Sequence, residues 1–389
     1  MQVFRRGDRG PAVAEIRAKL ERLGRLGPVS PAPFADTDPH NQTNPTDLLF
    51  DDVTDRAIRG FQQERGLRVD GVVGPETYRA LDEAHWRVGD RLLSYAVSRP
   101  FIGDDVATLQ QRLLDMGFDP GRCDGIFGQA TEAALKEFQR NVGLRPDGAL
   151  GPGTLRALEQ LRRTVKGGSP SERREEERLQ RGVGALAGRV VVLDPGHGGD
   201  DPGATGHGLV EADIVLDLAA RIEGRLGALG VTTYLTRSAD TAPDDQGRAR
   251  FANEMAAEIF VSLHLDEVSS PHASGSACFF YGASLPDREV RSAVGERLAD
   301  LVSREVASRT DLVDGRTHPK SWELLRLTRM PAIRLEAGYL TSPGDAARLA
   351  TPEFRDALAE AVVAGIQRLY LPDHLDIPTG QFRLAALST

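Results

Sequence analysis

A 21-residue segment occurs twice in this chain, which indicates that one small structural unit is duplicated. FQQERGLRVDGVVGPETYRAL begins at Phe61, and FQRNVGLRPDGALGPGTLRAL begins at Phe138, an offset of 77 residues. Upstream, VAEIRAKLERLG from Val13 aligns with VATLQQRLLDMG from Val106 at an offset of 93. The first copy therefore holds 16 more residues than the second between its first two helices.

Each copy is predicted to form three helices, because an amphipathic opening helix is followed by two further helical segments around a glycine-rich turn. The turn Asp-Gly-x-x-Gly-x-x-Thr occurs three times, at Asp70–Thr77, Asp124–Thr131 and Asp147–Thr154. Its glycines permit positive φ, and the Thr or a neighbour is expected to start the next helix. The first copy has Phe50–Thr54 in place of the upstream turn.

The repeats resemble a known module. CDGIFGQATEAALKEFQRNVGLRPDGALGPGTLRAL is similar to the three-helix peptidoglycan-binding domain found beside bacterial wall hydrolases. The resemblance implies a shallow groove that binds peptidoglycan fragments, and it is weaker in the first copy. The alternative is that the turn only builds a small helical bundle.

The composition excludes several classes of protein. The net charge of -9 argues against nucleic acid or an anionic membrane as the main partner. The two cysteines, Cys123 and Cys278, form no metal or disulfide motif. No apolar run is long enough for a membrane span, and the N-terminal sequence does not resemble an export signal, so a cytoplasmic location is expected rather than the cell wall.

Downstream, apolar strands alternate with helices, which favours an α/β domain with a largely parallel sheet. A helix is predicted over 288–306. The predicted fold class is thus multidomain, with two small all-α repeats before the α/β domain. The predicted segments are repeat 1 at 1–95 with an inserted loop at 25–48, repeat 2 at 96–163, a linker at 164–187, the α/β domain at 188–372 and a tail at 373–389.

Three candidate metal ligands follow or adjoin strand ends, where sites gather in parallel sheets. His197 lies in the loop after the strand VVVLD, Glu211 opens a helix, and His264 closes the strand IFVSLH. Two histidines and one glutamate suit a catalytic zinc site with an open fourth position. Glu211 could instead satisfy a helix N-terminus, and His207 is the rival ligand.

Glu336 ends the strand AIRLE and is a candidate general base, since a carboxylate at a neighbouring strand end can face the same point. The alternative is an ion pair with Arg334 or Arg329.

The α/β domain also resembles zinc-dependent N-acetylmuramoyl-L-alanine amidases of the amidase-3 type. The resemblance rests on VVLDPGHGGDDPGATGHGLVEADIVLDLAARI, EIFVSLHLDE and LTRMPAIRLEAGYLTSPGDAARL. It implies that His197, Glu211 and His264 bind zinc and that Glu336 is catalytic. Departures from the family pattern are Ala212, where a basic residue is common, and Asp266-Glu267, where Asn-Ala is usual.

Two such repeats before an amidase domain, in a chain with 4 lysines and no recognised export signal, resemble the actinobacterial CwlM-type subgroup. That resemblance implies a second possible function, a cytosolic and weakly active or inactive regulator of peptidoglycan precursor synthesis. Its partners would be a peptidoglycan-precursor enzyme and a Ser/Thr kinase, with phosphorylation at Thr379 in the tail. A frayed terminus is the alternative for that tail.

Overall fold

In the computed structural model, the described residues are 3–26, 48–161, 175–177, 179, 186–266, 270, 272–285 and 288–371. They divide into two compact units, one spanning 1–171 together with 283–290 and the other spanning 172–282 together with 291–389. Most of the predicted inserted loop and linker, together with Glu267 and Thr379, lies outside the described residues. None of the described helices has the length and apolar character needed to cross a bilayer.

The N-terminal unit contains the two repeats, each with three helices around its own apolar core. Ile58 and Phe61 are buried in the first core, and Leu109 and Phe138 are buried in the second. The helices are α1 (Pro11–Arg22), α2 (Asp52–Glu64) and α3 (Pro75–Ala84) in the first repeat, then α4 (Asp104–Asp115), α5 (Gln129–Asn141) and α6 (Pro152–Gln160) in the second.

A buried glutamine organises each of the three predicted turns. In the turn Asp70–Thr77, the Gln62 amide nitrogen donates to Asp70, to the Val72 carbonyl and to Thr77, while its oxygen accepts from the Gly71 N–H. Gln110 and Gln139 make the corresponding bonds in the other two turns. The threonine of each turn therefore accepts a hydrogen bond from this glutamine. The N-cap of each following helix is a glycine.

The first repeat has one glutamine-centred turn where the second has two, and a buried arginine takes the place of the other. Arg17 occupies the position that Gln110 has in the second repeat, because the opening helices of the two repeats align at an offset of 93 residues. Its guanidinium donates to the Leu49 carbonyl, to Asp51 at 2.9 Å and to Thr54. The first repeat thus keeps its shape through a charged contact where the second uses a neutral amide.

The segment just before residue 96 packs with the second repeat. Leu93 is fully buried in the second core and forms a β-bridge with Leu150, and Tyr95 packs against the same core. The boundary predicted at residue 95 instead assigns Leu93 and Tyr95 to the first repeat. Repetition of helices alone did not show that an extended segment precedes the opening helix.

The second unit is built on a mainly parallel sheet, which confirms the predicted fold class. The strands from residue 190 onward are β1 (Val190–Pro195), β2 (Thr205–Gly206), β3 (Leu209–Val210), β4 (Thr232–Leu235), β5 (Ile259–Asp266), β6 (Ser276–Leu285), β7 (Arg288–Arg291), β8 (Asp314–Lys320) and β9 (Ala332–Tyr339), of which residues 283–290 of β6 and β7 are assigned to the first unit. Its helices are α7 (Glu211–Ala228), α8 (Asp245–Glu254), α9 (Ala293–Arg309), α10 (Glu323–Leu327), α11 (Pro343–Leu349) and α12 (Pro352–Leu369).

The order of strands in the main sheet is β4-β1-β5-β9-β6-β7, and β8 also pairs with β6. Among the described strands, β1 pairs with β4 and β5, β5 with β9, and β6 with β8 in parallel, whereas β9 and β6 pair antiparallel. Helices α7, α9 and α12 contribute to the large apolar core on one face. The short helices α8 and α10 contact each other, and α10 contacts β9.

The predicted helix over 288–306 is wrong at its start. Residues 288–291 form strand β7, and helix α9 begins at Ala293. Ser292 caps that helix by accepting a hydrogen bond from the Gly295 N–H. The segment REVR has no turn residue before Ser292, so the apolar spacing alone suggested one continuous helix.

Candidate metal centre

Three predicted ligands meet at the carboxyl ends of neighbouring strands. His197 lies in the loop after β1, Glu211 is the first residue of α7, and His264 lies near the end of β5. One potential ligand atom from each of the three lies within 4.8 Å of the other two. His197 Nε2 is 3.3 Å from Glu211 Oε2, and His264 Nδ1 is 2.9 Å from Glu211 Oε1. The structure therefore brings the three side chains to one point.

Glu211 is the buried centre of this group, only 1% exposed. Its two carboxylate oxygens accept hydrogen bonds from the backbone N–H groups of Ala204 and Leu265. Burial alone would raise the pKa of Glu211, but hydrogen bonds from His197 and His264 outweigh burial and hold the pKa far below its ordinary value. Glu211 is thus a fixed anion, which is the form that binds a metal ion.

The two histidines differ in their surroundings. His197 is partly exposed, and its Nδ1 lies 2.8 Å from Asp201 Oδ2, while the hydrogen bond to Glu211 raises its pKa despite partial burial. With Nδ1–H donated to Asp201, loss of the proton that Nε2 shares with Glu211 gives a neutral ring whose Nε2 can act as a ligand. His264 is buried, and this burial together with the nearby Arg334 charge lowers its pKa. A neutral imidazole is the form that coordinates metals.

Two positions near the ligands must be glycine because a side chain there would have no room. A Cβ on Gly196 would overlap the His264 ring, and one on Gly203, which has φ +66°, would lie 2.6 Å from Glu211 Oε2. His197 itself has a positive φ of 58°. A non-glycine residue in this region costs on the order of 1–3 kcal/mol, so the surrounding contacts must hold it there.

Glu336 lies beside the three ligands on the next strand, where its Cα is the register partner of His264. Its Oε1 accepts from Arg334 Nε and Nη2, both at 2.7 Å, so the predicted ion pair is with Arg334. Its Oε2 is buried and has no hydrogen-bond partner among the described residues. A buried polar atom without a partner is costly, so this oxygen is available to a reacting group.

The rival ligand and the departures from the family pattern also have defined positions. His207 is exposed in the turn between β2 and β3 and is not part of the ligand group. Ala212 is buried, and its carbonyl accepts from Arg237. Asp266 ends β5 and accepts a hydrogen bond from Tyr339. Burial and the Asp266 carboxylate both raise the pKa of Tyr339.

A buried charge network behind the metal loop escaped sequence analysis. Asp194 is fully buried and accepts hydrogen bonds from Arg248, Thr236 and Ser262. Burial would raise the Asp194 pKa, but the Arg248 charge and these hydrogen bonds hold the pKa below its ordinary value. Arg248 also donates to the Pro195 and His197 carbonyls, so it ties the strained ligand loop to the sheet.

Replacing Arg248 by Met is expected to lower the free energy of unfolding of the second unit by about 3–5 kcal/mol, because Asp194 would become a buried charge without its partner. Urea unfolding followed by Trp322 fluorescence measures this in a Trp86→Phe background, since the chain has only 2 tryptophans. Arg250→Met is the matched control, because Arg250 is exposed on the same helix. Equal losses in the two variants would contradict the assigned role of Arg248.

A His/Glu/His group at strand and helix ends, beside a further carboxylate, is typical of hydrolases that use one metal ion. Comparison with known families is more specific. The model for N-acetylmuramoyl-L-alanine amidases matches residues 191–368, and the model for a peptidoglycan binding domain matches 9–81 and 102–158. The chain belongs to the N-acetylmuramoyl-L-alanine amidase family.

One relative matches over nearly the whole chain. N-acetylmuramoyl-L-alanine amidase CwlM of Mycobacterium tuberculosis (strain ATCC 25618 / H37Rv) is 45% identical over 388 residues, which cover 99% of this chain and 93% of the relative. The resemblance to the CwlM-type subgroup is thereby confirmed. The germination-specific amidase of Bacillus subtilis (strain 168) is 30% identical over 48% of this chain and 81% of its own length.

Among solved structures, the chain is similar to the amidase AmiC2 of Nostoc punctiforme. The two are 35% identical, with a TM-score of 0.42, over 46% of this chain and 96% of that structure.

Proposed function

We propose that this protein is a zinc-dependent N-acetylmuramoyl-L-alanine amidase, which hydrolyses the bond between the lactyl group of muramic acid and the L-alanine of the stem peptide. The observation that carries the proposal is the meeting of His197, Glu211 and His264 beside Glu336, whose Oε2 is buried and without a partner among the described residues. Membership of the amidase family supports this reaction, and so does the similarity to an amidase over nearly the whole chain.

The donor set fits zinc. Two imidazole nitrogens and one carboxylate oxygen, all within 4.8 Å of one another, are ligands that zinc takes in catalytic sites. His197, Glu211 and His264 would hold the ion. Zinc bound there would polarise the scissile carbonyl and lower the pKa of a water molecule toward ~7.

Glu336 carries out the proton transfers. Its Oε2 accepts the proton of the attacking water and returns it to the L-alanine nitrogen as the amide bond breaks. Arg334 holds Oε1 through two N–H groups, so the carboxylate keeps one orientation while Oε2 exchanges the proton. Arg334 is thus a positioning residue for the general base.

Hydrolysis of a soluble muropeptide by the zinc-loaded full-length protein tests the proposal. The expected products, detected by mass spectrometry, are the muramic acid and a peptide with a free L-alanine amine. Intact substrate, under conditions in which another amidase cleaves it, would overturn the enzymatic assignment. That outcome would favour the weakly active or inactive regulator. Cytoplasmic location and partnership with a precursor enzyme or a kinase stay predictions from the sequence.

The repeats are proposed to bind peptidoglycan, and the second is expected to bind a soluble muropeptide more tightly than the first. The second repeat has both glutamine-centred turns, whereas the first has Arg17 in place of one of them and carries the insertion. Calorimetric titration of the separate fragments 1–87 and 88–161 measures the difference. Tighter binding by the first fragment would refute this ranking.

A further inference from the structure

Four side chains form an aromatic–cationic cluster on the sheet next to Glu336, namely Phe279, Lys320, Trp322 and Arg334. The Phe279 and Trp322 rings are 4.7 Å apart between centroids. Lys320 Nζ lies 5.9 Å from the Phe279 ring and 5.7 Å from the Trp322 ring, and Arg334 Cζ lies 4.9 Å from the Trp322 ring. All four side chains are partly exposed, so the cluster is accessible from solvent.

Lys320 has no anionic partner within the part of the chain that the structure describes. No carboxylate there lies within 4 Å of its ammonium, although most other cations of this unit are paired. Partial burial lowers the Lys320 pKa, and no carboxylate opposes this effect. Withdrawing an ammonium from water without a counter-ion is unfavourable, and contacts with two aromatic faces offset this only in part.

The cluster lies beyond Glu336, on the side away from His264. The strands follow the order β5, β9, β6 and β8, so His264, Glu336, Phe279 and Lys320 stand on successive strands. Because Glu336 must reach both the water and the L-alanine nitrogen, the region beyond it, away from His264, receives the peptide. Glu336 pairs with Ala277 and Lys320 pairs with Tyr281, so Lys320 lies two strands away and is offset by four residues along β6. At about 4.8 Å per strand and about 3.3 Å per residue the two Cα atoms are about 16 Å apart, a gap that the lysine side chain and a peptide of two or three residues span together.

We propose that Lys320 and Arg334, on the floor formed by Phe279 and Trp322, bind a carboxylate of the stem peptide on the leaving-group side of the scissile amide. This inference rests on the proposed amidase function and adds a specificity determinant to it. Arg334 is paired with Glu336, whereas the Lys320 ammonium has no carboxylate within 4 Å among the described residues, so Lys320 supplies the charge that is available to an anion. The aromatic rings supply an apolar surface for the aliphatic part of the same residue.

The test compares two substrates of one shape, N-acetylmuramoyl-L-alanyl-D-glutamate and its diamide, with zinc-loaded full-length protein. Lys320→Gln is expected to raise KM for the diacid by about tenfold, the loss typical of one charge-assisted contact, and to leave KM for the diamide unchanged. Lys320→Arg should keep the preference for the diacid. Arg250→Gln is the control, since Arg250 is an exposed cation of the same unit that lies outside the cluster.

Binding gives a second readout that does not need turnover. With Trp86→Phe, Trp322 is the sole tryptophan, and its fluorescence reports occupancy of the cluster. Diacid binding that Lys320→Gln weakens, without any hydrolysis, would support the subsite and overturn the amidase function. Hydrolysis with no preference for the diacid, or an equal effect of Lys320→Gln on both substrates, would overturn the subsite and leave the amidase function standing.

Discussion

Glu336→Gln is expected to reduce kcat for muramoyl-L-alanine hydrolysis by about 10²-fold or more, while the protein keeps its metal. A glutamine oxygen can still accept the Arg334 hydrogen bonds that now end on Oε1, so the side chain should keep its place. What it loses is the ability to take a proton from water at the Oε2 position. The measurement is kcat together with zinc content by elemental analysis.

The matched control is Glu323→Gln, because Glu323 is a glutamate of the same unit that lies outside the ligand group. Its hydrolysis rate should stay close to that of the wild type. Release of zinc from Glu336→Gln would show that Glu336 is itself a ligand, and an unchanged rate would show that another group is the base.

The candidate site could be predicted from the sequence because its residues follow short, strongly apolar strands. In a parallel sheet such strands end at one edge, so His197 and His264 were expected to meet there. Glu211 instead opens a helix after β3, which pairs with β2 outside the main sheet, so its place as a ligand depended on the resemblance to the amidase family. The Gly-rich loop after β1 also has a local cause, since Gly196 and Gly203 leave no room for a Cβ beside the ligands.

The supporting residues could not be predicted in this way, because their partners are distant in the chain. Arg248 reaches Asp194 across 54 positions, and Arg17 reaches Thr54 across 37. One sequence gives no sign that these pairs meet. The glutamines of the repeat turns were visible beside Phe61 and Phe138, yet only the structure shows that their amides close each turn.

Strand β8 was missed for a different reason. The segment DGRTHPK has no apolar alternation, contains a proline and is largely exposed, so it has none of the usual strand signals. Pairing with β6 makes it a strand. Lys320 at its end therefore looked like an ordinary surface lysine, and its place beside two aromatic rings depends on that pairing.

Replacing both His197 and His264 by Ala is expected to reduce bound zinc from about one ion per chain to almost none and to reduce hydrolysis to background. Glu211 would remain as a single carboxylate ligand, and one ligand cannot hold a tetrahedral zinc ion against competing water. The fold should survive, because neither imidazole belongs to the large apolar core or to the Asp194–Arg248 pair. Elemental analysis after gel filtration measures the loss, and His207→Ala with His318→Ala is the control, since both of these histidines are exposed and outside the ligand group. Equal zinc in the two double variants would refute the ligand assignment. Loss of zinc with retained hydrolysis would instead refute the dependence of the reaction on the metal.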